Sequence, residues 1–126
     1  MVDYPRDSCR PAQVMPIVAI SHKATSPAET LEQLKQKLPV LVSHALDCPE
    51  EPFDGHLQPG DVILRCVAGL PPEEGLDYLI EIRTRWTKSR SESLQERSDE
   101  LQAALANLGV KRFGVWLELL EGAWSQ

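Results

Sequence analysis

The residues Tyr78-Leu79-Ile80-Glu81-Ile82-Arg83-Thr84-Arg85-Trp86 organise the reading of the whole chain. Side chains alternate sides along an extended backbone. Tyr78, Ile80, Ile82, Thr84 and Trp86 therefore share one face, while Leu79, Glu81, Arg83 and Arg85 share the other. A strand with one apolar and one charged face has helices on one side only. Its other side meets water, a partner or a site.

Downstream, Ser89 and Glu92 have capping-box spacing and predict the start of a helix. Leu94, Leu101, Leu105 and Leu108 supply its buried stripe, and Gly109 is placed to end it. Arg112 to Leu119 reads as the final strand, followed by a short tail, Glu121 to Gln126. Upstream, Gly69 to Gly75 is a loop around Pro71-Pro72, and Asp61 to Ala68 is a strand rich in Val62, Ile63, Leu64 and Val67. Asp47 to Gly60 is a loop broken by Pro49, Pro52, Gly55, Pro59 and Gly60. Ser26-Pro27-Ala28-Glu29 predicts a helix start with Ser26 as the cap, Pro27 first in the helix and Glu29 closing a capping box. Leu31, Leu34, Leu38, Leu41 and Ala45 then mark one buried face. Pro39 removes a backbone donor within that face, which predicts a kink. Ile17 to Ile20 is a short strand headed by Pro16. Met1 to Val14 is polar and proline-broken, and reads as a flexible arm, or translation starts at Met15.

The two halves share a grammar. Ser26 and Ser89, Glu29 and Glu92, Leu31 and Leu94, and Leu38 and Leu101 recur at one constant offset. The chain thus reads as β-α-β followed by β-α-β. Each unit crosses over right-handedly and places its two strands parallel. The expected fold is α+β, a two-layer sandwich with a four-stranded sheet and both helices on one face. The bare face carries Glu81, Arg83 and Arg85, and a bare sheet face predicts an oligomer. A ferredoxin-like βαββαβ module has a similar element count. It differs in pairing its strands as an antiparallel split βαβ unit.

The 126 residues suit one domain, with Met1 to residue 15 as the arm and Pro16 to Gln126 as the folded unit. A hydrophobic fraction of 42% and a charged fraction of 25% are those of an ordinary soluble globule. The net charge of −6 argues against phosphate-backbone binding, so no nucleic-acid partner is expected. No apolar run is long enough to span a membrane, and no secretory signal opens the chain, so no membrane partner is expected. Cys9, Cys48 and Cys66 are odd in number and widely spaced, which points to a reducing cytoplasm and to no structural metal site. Cys66 reads as buried and inert. His22, His44 and His56 are scattered, with His44 on a helix surface. Trp86, Trp116 and Trp124 read as core or subunit-contact residues. Lys88-Ser89-Arg90-Ser91 reads as a solvated start of a helix. On residues alone, Pro16 is a strand-leading proline, and Arg83 and Arg85 are solvated or paired with Glu81 or Glu118.

Met15-Pro16-Ile17-Val18 at the head of a strand, followed by two βαβ units, resembles the tautomerase superfamily, whose enzymes use an amino-terminal proline. Within it the chain looks most like the malonate semialdehyde decarboxylase branch and its tautomerase-like neighbours. The resemblance spans Met15 to Gln126. It rests on Pro49-Glu50, Gln58-Pro59-Gly60-Asp61-Val62-Ile63-Leu64, Asp77 to Arg90 and Gly122-Ala123-Trp124-Ser125, taken in order. It implies a homotrimer with inward-facing sheets, a small carboxylate substrate and no cofactor. It also implies Pro16 as the proton-transfer group, aided by carboxylate-binding arginines: Arg85 at the end of the third strand is the best match, Arg83 on the same face is a second candidate, and Arg90 is a candidate where the loop after that strand runs differently. The decarboxylase branch also uses an aspartate shortly after the Pro-Glu of this loop. That position falls near Pro52, and Glu50, Glu51 and Asp54 are no clean match, which disfavours decarboxylation more than tautomerisation. Fifteen residues stand ahead of Pro16, a second departure.

The chemistry hinges on that boundary. A proline nitrogen within a peptide bond is an amide and has no useful basicity. A free α-amino group titrates near 7.7–8.0. Burial and neighbouring cations lower that value and leave the nitrogen neutral and able to accept a proton. Arginines beside it can grip a substrate carboxylate and stabilise an enolate. The expected reaction is enol–keto proton transfer on a small 2-oxo acid. The competing expectation is a non-catalytic binding or assembly protein of the same fold, with Pro16 blocked by the preceding residues.

Overall fold

The computed structural model describes residues 16–50, 56–69 and 75–121. The arm, Pro52 with its neighbours Glu51 and Asp54, the Pro71-Pro72 loop and the tail with Trp124 lie outside the described residues. The elements are strand β1 (Ile17–His22), helix α1 (Ala28–Leu46), a 3-10 turn (Pro59–Asp61), strand β2 (Ile63–Ala68), strand β3 (Tyr78–Arg85), helices α2 (Lys88–Glu92) and α3 (Leu94–Asn107), and strand β4 (Phe113–Leu120).

The four strands form one sheet in the order β2-β1-β3-β4. β1 pairs parallel with β2, and β3 pairs parallel with β4. The two central strands, β1 and β3, run antiparallel, with Ile17 opposite Arg83. Each βαβ unit therefore pairs its own two strands side by side, as the sequence predicts, and the ferredoxin-like pairing is excluded. Val18, Ile20, Ile80, Ile82 and Leu117 cover the core side of the sheet and pack with Leu34, Leu38, Val42, Leu101 and Leu105 from the helices. Fully burying each such aliphatic side chain contributes about 1.5–3 kcal/mol, the main favourable term in holding the layers together.

Local signals are less faithful. α1 starts one residue later than expected. Pro27 has ψ 133° and is itself the cap, without a side-chain hydrogen bond. Ser26 consequently sits too far back to cap, and its hydroxyl is buried with no hydrogen-bond partner. Pro39 does not divide the helix, which runs from Ala28 to Leu46 around it. Leu34 and Leu38 before it, and Val42, Ala45 and Leu46 after it, stay buried. That packing offsets the one missing N–H bond. The Ser89–Glu92 box is also absent. Thr87 is the cap, its hydroxyl accepting from the Arg90 N–H at 3.1 Å, and the helix breaks again at Ser93. Gly109 does end α3. With φ +91° it allows the Gly109 N–H to reach the Ala106 carbonyl at 3.0 Å and the Val110 N–H to reach that of Leu105 at 3.2 Å.

Cys66 is exposed rather than buried. It lies on the edge strand β2, four residues of which, Arg65 to Ala68, are all exposed.

Candidate functional site

The start of β1, the start of β2 and the ends of β3 and β4 meet at one end of the sheet, because β3 and β4 run opposite to β1 and β2. Pro16 heads the central strand there and is buried. Its carbonyl accepts from the Ile63 N–H at 2.9 Å, which anchors it to β2. On its other flank is β3, with Arg83 directly opposite Ile17. Pairing partners project to the same side, so the uncovered face is assembled in rows. One row holds Ile63, Ile17, Arg83 and Glu118, and the next holds Arg65, Ala19, Glu81 and Trp116. Arg85 and Leu120 form the pair nearest the end.

Arg83 is already engaged on this face. Its Nη2 lies 3.3 Å from Glu81 Oε2, and its Nε lies 3.8 Å from Glu118 Oε2. All three are part-exposed, so the pairs are screened and contribute little individually to stability. Their effect is on charge. Two carboxylates offset the positive field of Arg83 near Pro16. Arg85 is partly buried on the same face, two residues along.

Arg90 lies elsewhere. It is fully buried, and its guanidinium donates to the Leu46 carbonyl at 3.0 Å through Nε and to the Arg85 carbonyl at 3.0 Å through Nη1. It braces the end of α1 against the end of β3 from within. The expectation that Arg90 reaches a substrate from the bare face assumed a different course for the loop after β3. The Thr87 cap turns the chain inward instead.

Several features were not read from the sequence. Arg97 donates to the carbonyls of Ala45 at 2.8 Å and Asp47 at 3.1 Å, a second clamp on the last turn of α1. Cys48 is buried with its sulfur 3.7 Å from the Thr87 hydroxyl. Asp61 is buried and closes a capping box on the 3-10 turn, its Oδ2 accepting from the Gln58 N–H at 2.9 Å. The Gln58-x-x-Asp61 spacing was the available signal. Glu50 accepts from the Ser89 hydroxyl. That bond, followed by one to its own backbone N–H, holds the Glu50 carboxyl below the usual value, with a smaller contribution from the Arg97 and Arg90 charges.

The remaining candidates are unremarkable in place. His44 and His56 are exposed, and His22 bonds through Nδ1 to the Lys23 carbonyl at 3.0 Å. No cluster of metal-ligating side chains occurs among the described residues. Trp86 and Trp116 are 41% and 58% exposed, so neither belongs to the core. No helix among the described residues is long and apolar enough to cross a membrane.

No protein-family model and no curated protein matches the chain. Solved structures do. A macrophage migration inhibitory factor-like protein from Entamoeba histolytica matches at 13% identity and TM-score 0.59, over 89% of this chain and 95% of its own. A malonate semialdehyde decarboxylase, with both decarboxylase and hydratase activities, matches at 15% and 0.58, over 86% and 88%. A 5-carboxymethyl-2-hydroxymuconate isomerase from Deinococcus radiodurans R1 matches at 16% and 0.56, over 90% of each chain. At these identities the likeness concerns the backbone, and the chain has the fold of the tautomerase superfamily.

Proposed function

We propose that the chain is a tautomerase-like enzyme that moves a proton between the enol and keto forms of a small 2-oxo acid. Pro16 is the base where the mature chain begins at that residue, and Arg83 and Arg85 bind the substrate carboxylate. The observation that carries this reading is the pairing of Ile17 with Arg83 at the centre of a tautomerase fold, which sets Pro16 one residue from a strand bearing two same-face arginines. Arg90 takes a supporting part through its bond to the Arg85 carbonyl. The isomerase and decarboxylase among the structural neighbours act on small acids, which fits a carboxylate substrate.

The protein works as a homotrimer, in the cytoplasm and without a cofactor, on this reading. The open sheet face supports assembly, since Val67, Trp116 and Leu120 are 53%, 58% and 44% exposed on it. Two described cysteines that are both free fit a reducing compartment.

A second reading keeps the fold and drops the catalysis. Fifteen residues ahead of Pro16 make its nitrogen an amide where they are retained, and Arg83 is held by Glu81 and Glu118. The protein is then a binding or assembly module. Intact mass and amino-terminal sequencing of protein from the natural gene, with a ketonisation assay on phenylenolpyruvate and 2-hydroxymuconate, separate the two. A Pro16 start with turnover supports the enzyme; a Met1 or Val2 start without turnover supports the module.

A further inference from the structure

We propose that Glu81 and Glu118 are specificity-determining residues: they hold Arg83 and restrict the site to acids that carry one carboxylate on an otherwise uncharged body. The inference rests on the reading of Arg83 and Arg85 as the carboxylate-binding groups and deepens it by naming the substrate class.

The register sets out the charges. On the uncovered face β3 presents Arg85, Arg83 and Glu81 in order from the Pro16 end, and β4 presents Leu120, Glu118 and Trp116 beside them. Arg83 therefore stands between Glu118 across the ladder and Glu81 along its own strand. It reaches both, with Nη2 at 3.3 Å from Glu81 Oε2 and Nε at 3.8 Å from Glu118 Oε2. Glu118 is fixed through its other oxygen, since Oε1 accepts from the Trp116 indole N–H at 3.1 Å.

These contacts occupy one edge of the guanidinium. A two-pronged grip on a carboxylate needs two adjacent nitrogens of the planar fork. In Arg83 the adjacent pair Nε and Nη2 already faces protein carboxylates, so a ligand meets this residue only through its Nη1 end. The charge count points the same way. Arg83 and Arg85 are matched on this face by Glu81 and Glu118, which leaves the patch without net charge before a ligand arrives. One substrate carboxylate at the Arg85 end lies on the positive side of the patch, with Glu81 farther along. A second would set four carboxylates against two guanidinium groups.

The rest of the row suits an uncharged body. Ile17 lies opposite Arg83, and Ile63 continues the row on β2, both part-buried. Leu120, opposite Arg85, is 44% exposed. The other cation on this face is Arg65 of β2, two strands from β3 and so roughly 10 Å across the sheet, with Glu81 in its own row. Arg90 and Arg97 are turned to carbonyls of the α1 exit. Discrimination of this kind works by repulsion of the wrong ligand more than by new contacts to the right one.

The test is a binding titration of protein from the natural gene, at low ionic strength because part-exposed charges are screened by salt. The probes are hexanoate and adipate, acids of equal chain length that bear one and two carboxylates. Wild type should bind hexanoate at least as tightly as adipate, once adipate's two equivalent ends are allowed for. Glu81→Gln and Glu118→Gln keep the side-chain shape and remove a negative charge, and each should raise adipate affinity relative to hexanoate by about tenfold. Glu100→Gln, exposed on α3, changes the net charge equally and should leave the ratio at its wild-type value. A wild type that favours adipate overturns the proposal, as does a wild type that binds neither acid. So does a ratio unchanged in both site variants, or an equal gain in Glu100→Gln. The wild-type ratio is read without any variant, so misfolding of a variant does not remove the test. The same preparations are assayed for ketonisation of phenylenolpyruvate and 2-hydroxymuconate. Selective binding without turnover removes the enzymatic reading and leaves the one-carboxylate site standing. Turnover that favours the dicarboxylate 2-hydroxymuconate keeps the enzyme and sinks the proposal.

Discussion

The guanidinium of Arg90 donates to the carbonyl of Leu46, 44 positions earlier in the chain. This bond ties the second βαβ unit to the last turn of the first helix, where carbonyls have no partner within the helix. Arg97 completes the clamp on Ala45 and Asp47. The end of α1 is thereby held beside the sheet end that carries Pro16.

Arg90→Met should therefore destabilise the fold. It leaves one buried and one part-buried carbonyl without their charged donor, at a cost of roughly 2–4 kcal/mol. Arg90→Lys should recover little, because an ammonium cannot span both carbonyls in the guanidinium's planar geometry. Urea unfolding of both variants measures this. Midpoints within error of wild type would show that the clamp carries no energy.

Gly109→Ala isolates backbone strain. A Cβ at this position meets nothing within 4 Å, so sterics with neighbours do not enter. The residue holds φ +91°, where an L side chain is strained. The expected loss is about 1 kcal/mol or somewhat more. An unchanged denaturation midpoint would mean that the end of α3 relaxes into another turn.

Much of this architecture was legible because it is set by long patterns. The alternation from Tyr78 to Arg85 reappears as strict burial of every second residue. Gly109 was readable because one conformation there has one favoured residue. Capping was misread because Ser-Pro-x-Glu and Ser-x-x-Glu fit several frames equally. Where the chain turns decides which frame is used, and Pro27 and Thr87 moved the caps away from both serines. Cys66 was misjudged because strand propensity does not say whether a strand is central or at an edge. The Arg97 clamp escaped notice because the carbonyls of Ala45 and Asp47 are distant backbone groups with no residue identity to read.

Glu50 gives a pH signature. Its folded value lies below the ordinary carboxylate value of 4.5, chiefly through the Ser89 hydroxyl. A depressed folded value stabilises above the unfolded one, and the contribution disappears as pH falls through the folded value. Ser89→Ala should be less stable than wild type at pH 7, with the gap closing as acidification carries the pH below the ordinary carboxylate value of 4.5 and through the lowered folded one. Denaturant midpoints across this range report it. A gap that persists unchanged at low pH would assign the effect of Ser89 to packing.

On the uncovered face, Arg85 and Arg83 make separable predictions. For protein starting at Pro16, Arg85→Ala should lose roughly ten- to a hundredfold in kcat/KM, the worth of a charge-assisted hydrogen bond to carboxylate. Arg83→Ala should lose less, since its charge is shared with Glu81 and Glu118. Pro16→Ala should remove most turnover while the chain stays folded. Steady-state kinetics on an enolised 2-oxo acid decide this. Wild-type rates in Pro16→Ala and Arg85→Ala together would take the site away from these residues.

Trp116 tests what covers the sheet. It is 58% exposed, and its indole N–H donates to Glu118 Oε1 at 3.1 Å. It shares a cross-strand row with Glu81, Ala19 and Arg65. An indole so placed is an expected anchor for a second copy, because aromatic side chains are enriched where interfaces are tightest. Trp116→Glu puts a carboxylate into that row beside Glu81, and neither charge is tolerated at a dry contact. Sedimentation of wild type should give three chains per particle, and Trp116→Glu should shift it to one while the far-UV spectrum of the monomer is retained. A wild-type protein that sediments as a single chain leaves the face open to solvent, and the substrate carboxylate then has only this chain's own arginines to meet.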